Sequence, residues 1–262
     1  MINFDKIVNK LSKKEWKILT IYEIWSILDP DFRKLNEKNI TSVYKLIYRL
    51  KACNMIIPIK NSIYFINNKK NHRNIDIIDN FYWKILKKII SEYCSNDFII
   101  WNLKALELNL KDYSIPSEII IYNKELNKSI LLSQTNKIIF KKLSPWKKNL
   151  WVNIFTKFKT FTKKIKISWI IFTVADEELS ILDSLLIRNN SEKINIYQVD
   201  KFLKKYSNFL SREKMWKLVS MKYITSINRL KELSKKYWYH SLYTDCLDII
   251  KIEWWNCFLT QK

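Results

Sequence analysis

Residues 40–66, ITSVYKLIYRLKACNMIIPIKNSIYFI, decide the fold of the N-terminal part of the chain. The first half of this stretch predicts a helix at about Ile40–Cys53, because apolar residues recur at helical spacing and define one buried face. These residues are Ile40, Val43, Ile47 and Leu50. The second half predicts two short strands, Ile56–Ile59 and Ile63–Ile66, joined by a tight turn at residues 60–62.

Two further helices are predicted before this stretch. An amphipathic pattern indicates one at Phe4–Leu11 and another at Ile21–Leu28, which the Asp29-Pro30 pair ends. Three helices followed by a β-hairpin is the element order of a winged helix-turn-helix. We therefore expect residues 1–67 to form a winged helix-turn-helix domain.

In that motif the third helix enters the DNA major groove and the hairpin contacts the backbone. Hydroxyl and ammonium groups can bind phosphates or base edges, and an arginine can bind guanine through two hydrogen bonds. The candidate DNA-binding residues are Thr41, Ser42, Tyr44, Lys45, Tyr48 and Arg49 on the helix, with Lys60 and Asn61 at the hairpin tip. The same residues could instead form only the solvated side of a helix, or belong to a module that docks a protein.

The rest of the chain predicts an α+β fold. We expect a polar linker at residues 68–79, a mixed α+β domain at 80–190, and a helical part at 191–262 packed on that domain. Strands are expected at Val152–Phe161 and at Lys164–Val174, the latter with a hairpin at Ser168-Trp169. Asp176 is placed to cap the next helix, with carboxylates in its first turn.

The net charge of +22 is weaker support for nucleic-acid binding than its size suggests. Lysine supplies 41 of the 47 basic residues, as an A+T-rich genome favours, and the charge is spread along the whole chain. One segment differs, because Leu126–Ala175 holds eleven lysines and no acidic residue. It could bind a polyanion or an acidic partner, or it could be strands whose outward faces carry lysine.

No catalytic, metal-binding or cofactor-binding residue is predicted. Asp176, Glu178 and Asp183 could in principle hold Mg²⁺ for nuclease-like chemistry. However, Glu178 and Asp183 lie about 500° apart around a helix, so capping and surface ion pairs explain these carboxylates better. Four scattered cysteines and two histidines lack the spacing of a zinc site.

The chain has no glycine and 11 tryptophans. Several tryptophans stand where a turn glycine is expected: Trp146, Trp238, Trp254 and Trp255. Some bacteria read the codon UGA as glycine, whereas a common variant code reads it as tryptophan. We hypothesise that most of these tryptophans are recoded glycines; the alternative is a tryptophan-rich protein that lacks glycine.

Three stretches resemble the AbiEi-type antitoxin family. Residues 101–123, WNLKALELNLKDYSIPSEIIIYN, are similar to a segment in which a small helix with an Ala-Leu pair precedes Ile-Pro and a strand. Residues 172–186, FTVADEELSILDSLL, keep Val, Ala, Glu, Leu and Asp of a Val-Ala-Thr-Pro-Glu-Arg-Ala-Leu-Leu-Asp pattern. Residues 226–240, SINRLKELSKKYWYH, resemble a late Arg-Leu helix that ends in glycine. The chain departs from the family at Asp176, Glu177 and Leu179, and has Asn109-Leu110 where His-Gly-Leu is common.

The resemblance implies a transcriptional repressor that acts as the antitoxin of a type IV toxin–antitoxin operon. Its partner would be double-stranded DNA at its own promoter, and its functional counterpart a nucleotidyltransferase toxin with which it forms no stable complex. We expect a cytoplasmic protein without a membrane partner, because no apolar run approaches about 20 residues and the N-terminus lacks the apolar segment of a signal peptide.

Overall fold

A computed structural model describes most of the chain. The described residues are 4–13, 18–28, 37–60, 62–67, 74–94, 97–143, 154–186 and 194–259. They form an α+β fold that divides into two compact units. The first unit comprises Met1–Asn96 with Ile130–Lys137, and the second comprises Asp97–Ser129 with Ile138–Lys262.

The first unit is built from helices and one small antiparallel sheet. Its elements before residue 97 are α1 (Phe4–Ser12), β1 (Ile18–Thr20), α2 (Ile21–Leu28), α3 (Glu37–Ala52), β2 (Ile56–Lys60), β3 (Ile63–Ile66) and α4 (Asn74–Cys94). The sheet has the order β1-β3-β2, with Leu19 opposite Tyr64 and Ile57 opposite Phe65. The register shifts between Pro58 and Lys60, where proline cannot donate to the ladder.

The core of this unit lies between the sheet and the apolar faces of the helices. Val43, Ile47 and Leu50 of α3 are buried there, as the sequence predicts. They pack with Ile24 of α2 and Leu11 of α1. The side chain of Ile40 lies outside the described residues.

Helix α3 begins at Glu37, three residues before the predicted start, and ends in a left-handed cap. Asn54 has φ 52°, and the amide of Met55 donates to the carbonyl of Leu50 at 2.9 Å. Asparagine tolerates this conformation better than most residues, so the chain can turn sharply into β2. Strand β1 was not predicted, because three residues within an apolar run carry no strand signal of their own.

A six-stranded mixed sheet and its helices follow in the chain, and apart from Ile130–Lys137 they belong to the second unit. These elements are β4 (Phe98–Ile100), α5 (Asn102–Asn109), β5 (Glu118–Asn123), β6 (Lys128–Leu131), β7 (Lys137–Lys142), α6 (Ile154–Lys159), β8 (Thr162–Ile167), β9 (Ile170–Ala175), α7 (Glu177–Ser184), α8 (Ile196–Tyr206), α9 (Arg212–Leu218), a π-helical segment (Val219–Tyr223), α10 (Ile224–Lys236) and α11 (His240–Leu259). The strand order is β6-β7-β5-β4-β9-β8. Strand β4 is antiparallel to β5 and parallel to β9.

Two local predictions in this unit are confirmed. Strands β8 and β9 form a hairpin in which Ile167 faces Ile170 across Ser168 and Trp169. Asp176 caps α7, since its Oδ1 accepts a hydrogen bond from the amide of Leu179 at 3.0 Å. Helices α8, α9 and α10 all contact α7.

Other predictions in this region are wrong. The segment Val152–Phe161, predicted as a strand, contains helix α6, in which Phe155 and Phe158 are buried one turn apart. Its aromatic content favours a strand, but burial of these two rings on one side selects a helix. Trp254 and Trp255 lie within α11 rather than in a turn.

Helix α4 begins at Asn74, so it includes the last six residues of the predicted linker 68–79, while residues 68–73 lie outside the described residues. In the described part of the chain, no helix is long and apolar enough to cross a membrane.

Candidate nucleic-acid interface

The candidate DNA-binding residues of α3 share the face opposite the core. The exposed residues are Thr41, Ser42, Tyr44, Lys45, Tyr48 and Arg49. They alternate with buried residues at the spacing of an amphipathic helix that lies against a core on one side only. Lys60 ends β2 and is half-buried, and Asn61 lies outside the described residues.

The two cations on this face, Lys45 and Arg49, have no acidic partner among the described residues. Neither Lys45 nor Arg49 forms an ion pair with any carboxylate in the described part of the chain. They stand four residues apart, so their side chains leave the same side of the helix about one turn from each other. Within the described residues, no carboxylate pairs with either of these two positive charges.

The end of α3 approaches the β2–β3 hairpin through Lys51 and Tyr64. The Nζ of Lys51 lies 5.4 Å from the centre of the Tyr64 ring, within the range of a cation–π contact. Burial, and then the neighbouring hydroxyl of Tyr44, raise the pKa of Tyr64, which keeps this phenol neutral. Lys51 was missed by the sequence interpretation, although it follows Tyr44 and Tyr48 at the i, i+4, i+7 spacing of a helix face.

Helix α2 is fixed at its start by a capping box that was also missed. The amide of Thr20 donates to Oε2 of Glu23 at 2.8 Å, and the amide of Glu23 donates to Oγ1 of Thr20 at 3.2 Å. Lys88 of α4 also binds Glu23. The Thr-x-x-Glu spacing was the available signal. The pair of Lys88 and Glu23 links α4 to α2, the helix that precedes α3 in the chain.

The acidic residues of the second unit make protein contacts. Lys214 of α9 places its Nζ 2.8 Å from Oδ2 of Asp176 and 3.2 Å from Oε2 of Glu178. The other oxygen of Glu178 accepts a hydrogen bond from the amide of Ser211 at 2.8 Å. Burial lowers the pKa of Lys214, but the hydrogen bond and charge of Asp176 and the charge of Glu178 outweigh it and raise that pKa.

Asp183 does not share the Lys214 contact; its Oδ1 accepts a hydrogen bond from the hydroxyl of Tyr223 at 2.9 Å. Asp176, Glu178 and Asp183 are all buried, so the expected surface position of these pairs is wrong. The long-range partners Lys214 and Tyr223 could not be read from the local sequence. Among the described residues, no group of three or more His, Cys, Asp or Glu side chains could hold a metal ion.

The lysine-rich segment is partly neutralised by local contacts. Lys163 pairs with Glu177, and Lys159 shares the carboxylate of Asp97 with Lys124. The Nζ of Lys166 lies 4.0 Å from the centre of the Trp169 ring. These contacts fit either interpretation of the segment, since both lysine-faced strands and a polyanion surface can include them.

No protein-family model matches this chain, and no curated protein sequence matches it. The resemblance to AbiEi-type antitoxins therefore depends on the motifs in residues 101–123, 172–186 and 226–240.

Proposed function

We propose that the chain is a DNA-binding transcriptional repressor whose N-terminal unit is a winged helix-turn-helix. The observation that carries this proposal is the exposed face of α3, where Lys45 and Arg49 have no carboxylate partner in the described residues. The phosphates of the DNA backbone carry the negative charge that would pair with these two cations. The order helix, strand, two helices and a two-stranded hairpin supports the assignment, because it presents α3 and the hairpin as neighbouring contact elements.

The direct test is binding to the DNA upstream of the gene. Parent, Lys45→Ala and Arg49→Ala are titrated against a labelled upstream duplex and an unrelated duplex at several salt concentrations. Arg49→Ala should weaken specific binding by about 1–3 kcal/mol if it reads a guanine. Lys45→Ala should weaken binding to both duplexes and lower the salt slope by about one.

Lys235→Ala is the matched control, because Lys235 is an exposed lysine on α10 in the second unit. It should leave specific binding near the parent value. If both α3 variants bind the upstream duplex as tightly as the parent, α3 is not the recognition helix. The second candidate function is a protein-docking module. In that case the parent protein itself should bind the upstream and the unrelated duplex equally weakly.

We further propose that this repressor is the antitoxin of a type IV toxin–antitoxin operon. The three AbiEi-like motifs support this part, and they fall in the second unit rather than in the DNA-binding face. Co-expression with a nucleotidyltransferase encoded beside the gene should restore growth that the toxin alone arrests. Arg49→Ala should bind the promoter more weakly and still restore growth, because the two proposed activities belong to different units. Growth arrest that the parent cannot relieve would contradict the antitoxin role.

A further inference from the structure

Helix α3 exposes two large aromatic side chains beside its cations. Tyr44 is 58% exposed and Tyr48 is 75% exposed. Being four residues apart, they lie on one side of the helix, and each is followed by a basic residue, Lys45 or Arg49. Exposed rings that lie together on one face offer an apolar surface to another molecule.

The chemistry of this face is restricted. Between Thr41 and Ala52 the helix has no amide and no carboxylate side chain. In the major groove, Asn or Gln recognises adenine and Asp or Glu accepts from cytosine, whereas Arg or Lys recognises guanine. Thymine differs from the other bases by its C5-methyl group, which is recognised by apolar contact. Apart from the hydroxyls of Thr41 and Ser42, which can bind any base edge, the groups in this part of α3 suit guanine and thymine.

We propose that the rings of Tyr44 and Tyr48 are specificity-determining groups that contact thymine methyl groups in the major groove. This inference rests on the proposed function, since it requires α3 to lie in that groove. A phenol ring offers an apolar surface that can cover a methyl group. Its hydroxyl, at the far end of the ring, can stay in contact with water or a phosphate.

The test compares two forms of one duplex. The DNA upstream of the gene is amplified once with dTTP and once with dUTP, because uracil pairs with adenine as thymine does and lacks only the C5-methyl group. The parent protein should bind the uracil duplex more weakly, by about fourfold for each methyl group that is buried and about fifteenfold for two.

Variants assign the effect to the tyrosines. Tyr44→Ala and Tyr48→Ala should each bind the thymine duplex more weakly and show a smaller difference between the two duplexes. Tyr48→Phe keeps the ring and should keep the difference. Tyr197→Ala is the matched control, because Tyr197 is a tyrosine of the second unit with 73% exposure; it should behave as the parent. Circular dichroism checks that every variant folds.

The outcomes separate this inference from the repressor proposal. Specific binding by the parent that is equal for the thymine and uracil duplexes would overturn the methyl contact and leave the repressor standing. A uracil effect that persists in the double variant Tyr44→Ala/Tyr48→Ala would assign the contact to other residues and overturn the inference as well. If the parent prefers the upstream duplex no more than an unrelated one, both proposals fail.

Discussion

Two tryptophans have backbone conformations that glycine adopts without strain. Trp169 has φ 68° and follows Ser168 with φ 46°, so the β8–β9 turn has positive φ at both central residues, as type I′ turns require. Trp238 has φ 63° at the end of α10, where the amide of Tyr239 donates to the carbonyl of Ser234 at 2.9 Å. This is the six-to-one bond of a Schellman cap, whose left-handed residue is usually glycine.

We predict that Trp238→Gly stabilises the protein that carries tryptophan at this position. Trp238 is 77% exposed, so replacing it loses little apolar burial, whereas a side-chain Cβ in this conformation costs about 1–2 kcal/mol. Greater freedom of glycine in the unfolded chain offsets part of this gain, so the free energy of unfolding should rise by about 1 kcal/mol. Trp238→Ala retains the Cβ and should bring no such gain.

Chemical denaturation of the three proteins measures the difference. Equal stability of the glycine and alanine variants would show that a Cβ at position 238 does not destabilise the folded state. Peptide sequencing of the protein from its native host tests the recoding hypothesis itself, which expects glycine at most of the 11 positions that read tryptophan here. Tryptophan at positions 169 and 238 in those peptides would contradict it.

At the scale of single elements, the start of α2 depends on the ionisation of Glu23. Burial alone would raise the pKa of Glu23, but the hydrogen bond from Lys88, the amide of Thr20 and the charge of Lys88 lower it. A carboxylate whose pKa is lower in the folded state stabilises that state above its unfolded pKa, which is about 4.3 for glutamate. This contribution is lost as the pH falls through the folded pKa.

We therefore predict that Glu23→Gln lowers the free energy of unfolding by about 1 kcal/mol at pH 7, the usual size for loss of a helix cap. The ion pair with Lys88 is partly exposed and adds less. The difference from the parent should shrink below pH 4. Glu213→Gln on α9 is the control, because Glu213 forms only an exposed pair with Lys217 and should change little. A deficit that is equal at pH 7 and pH 3 would show that the carboxylate charge is not involved.

Elements differ in how far the sequence predicts them. Helix α3 and strands β2 and β3 were predicted within three residues, because Val43, Ile47 and Leu50 repeat on one face and the hairpin residues form short apolar runs. Strand β1 is defined by its pairing with β3, a contact that local periodicity cannot indicate. Helix α6 failed for a related reason, since burial of Phe155 and Phe158 in the fold overrides a local preference for strand.

For the candidate site, the exposed residues of α3 could be predicted from the sequence, whereas its contacts with other elements could not. The exposed side of α3 follows directly from its buried side, so Tyr44, Lys45, Tyr48 and Arg49 could be named from the pattern alone. The approach of Lys51 to Tyr64 joins a helix to a strand and needs the fold. The same holds for Lys214, which lies 36 and 38 residues from Glu178 and Asp176.

At the scale of the whole molecule, the contact of Lys214 with Asp176 and Glu178 joins distant parts of the second unit. Both carboxylates are buried, and removing a partner from buried charges is costly because their desolvation is no longer compensated. The Lys214 side chain is 43% exposed, which reduces the cost through solvent screening. We predict that Lys214→Ala lowers the free energy of unfolding by about 2 kcal/mol.

Lys217→Ala on the same helix is the control, since Lys217 forms an exposed pair with Glu213 and should change stability by less than about 0.5 kcal/mol. Thermal or urea unfolding of the two variants gives the comparison. If Lys214→Ala is as stable as Lys217→Ala, the fold does not need Lys214 to compensate the buried carboxylates of Asp176 and Glu178. A role for these two carboxylates should then be sought in binding or catalysis.

Strand β1 passes into α2 without an intervening residue, and the first amide of that helix, at Ile21, donates to the carbonyl of Ser62 in the β2–β3 turn at 2.8 Å. A backbone hydrogen bond thus joins the β2–β3 turn to the start of α2. A ligand that binds the hairpin should therefore also restrain α2. Amide hydrogen exchange should slow in both elements when a ligand binds either one.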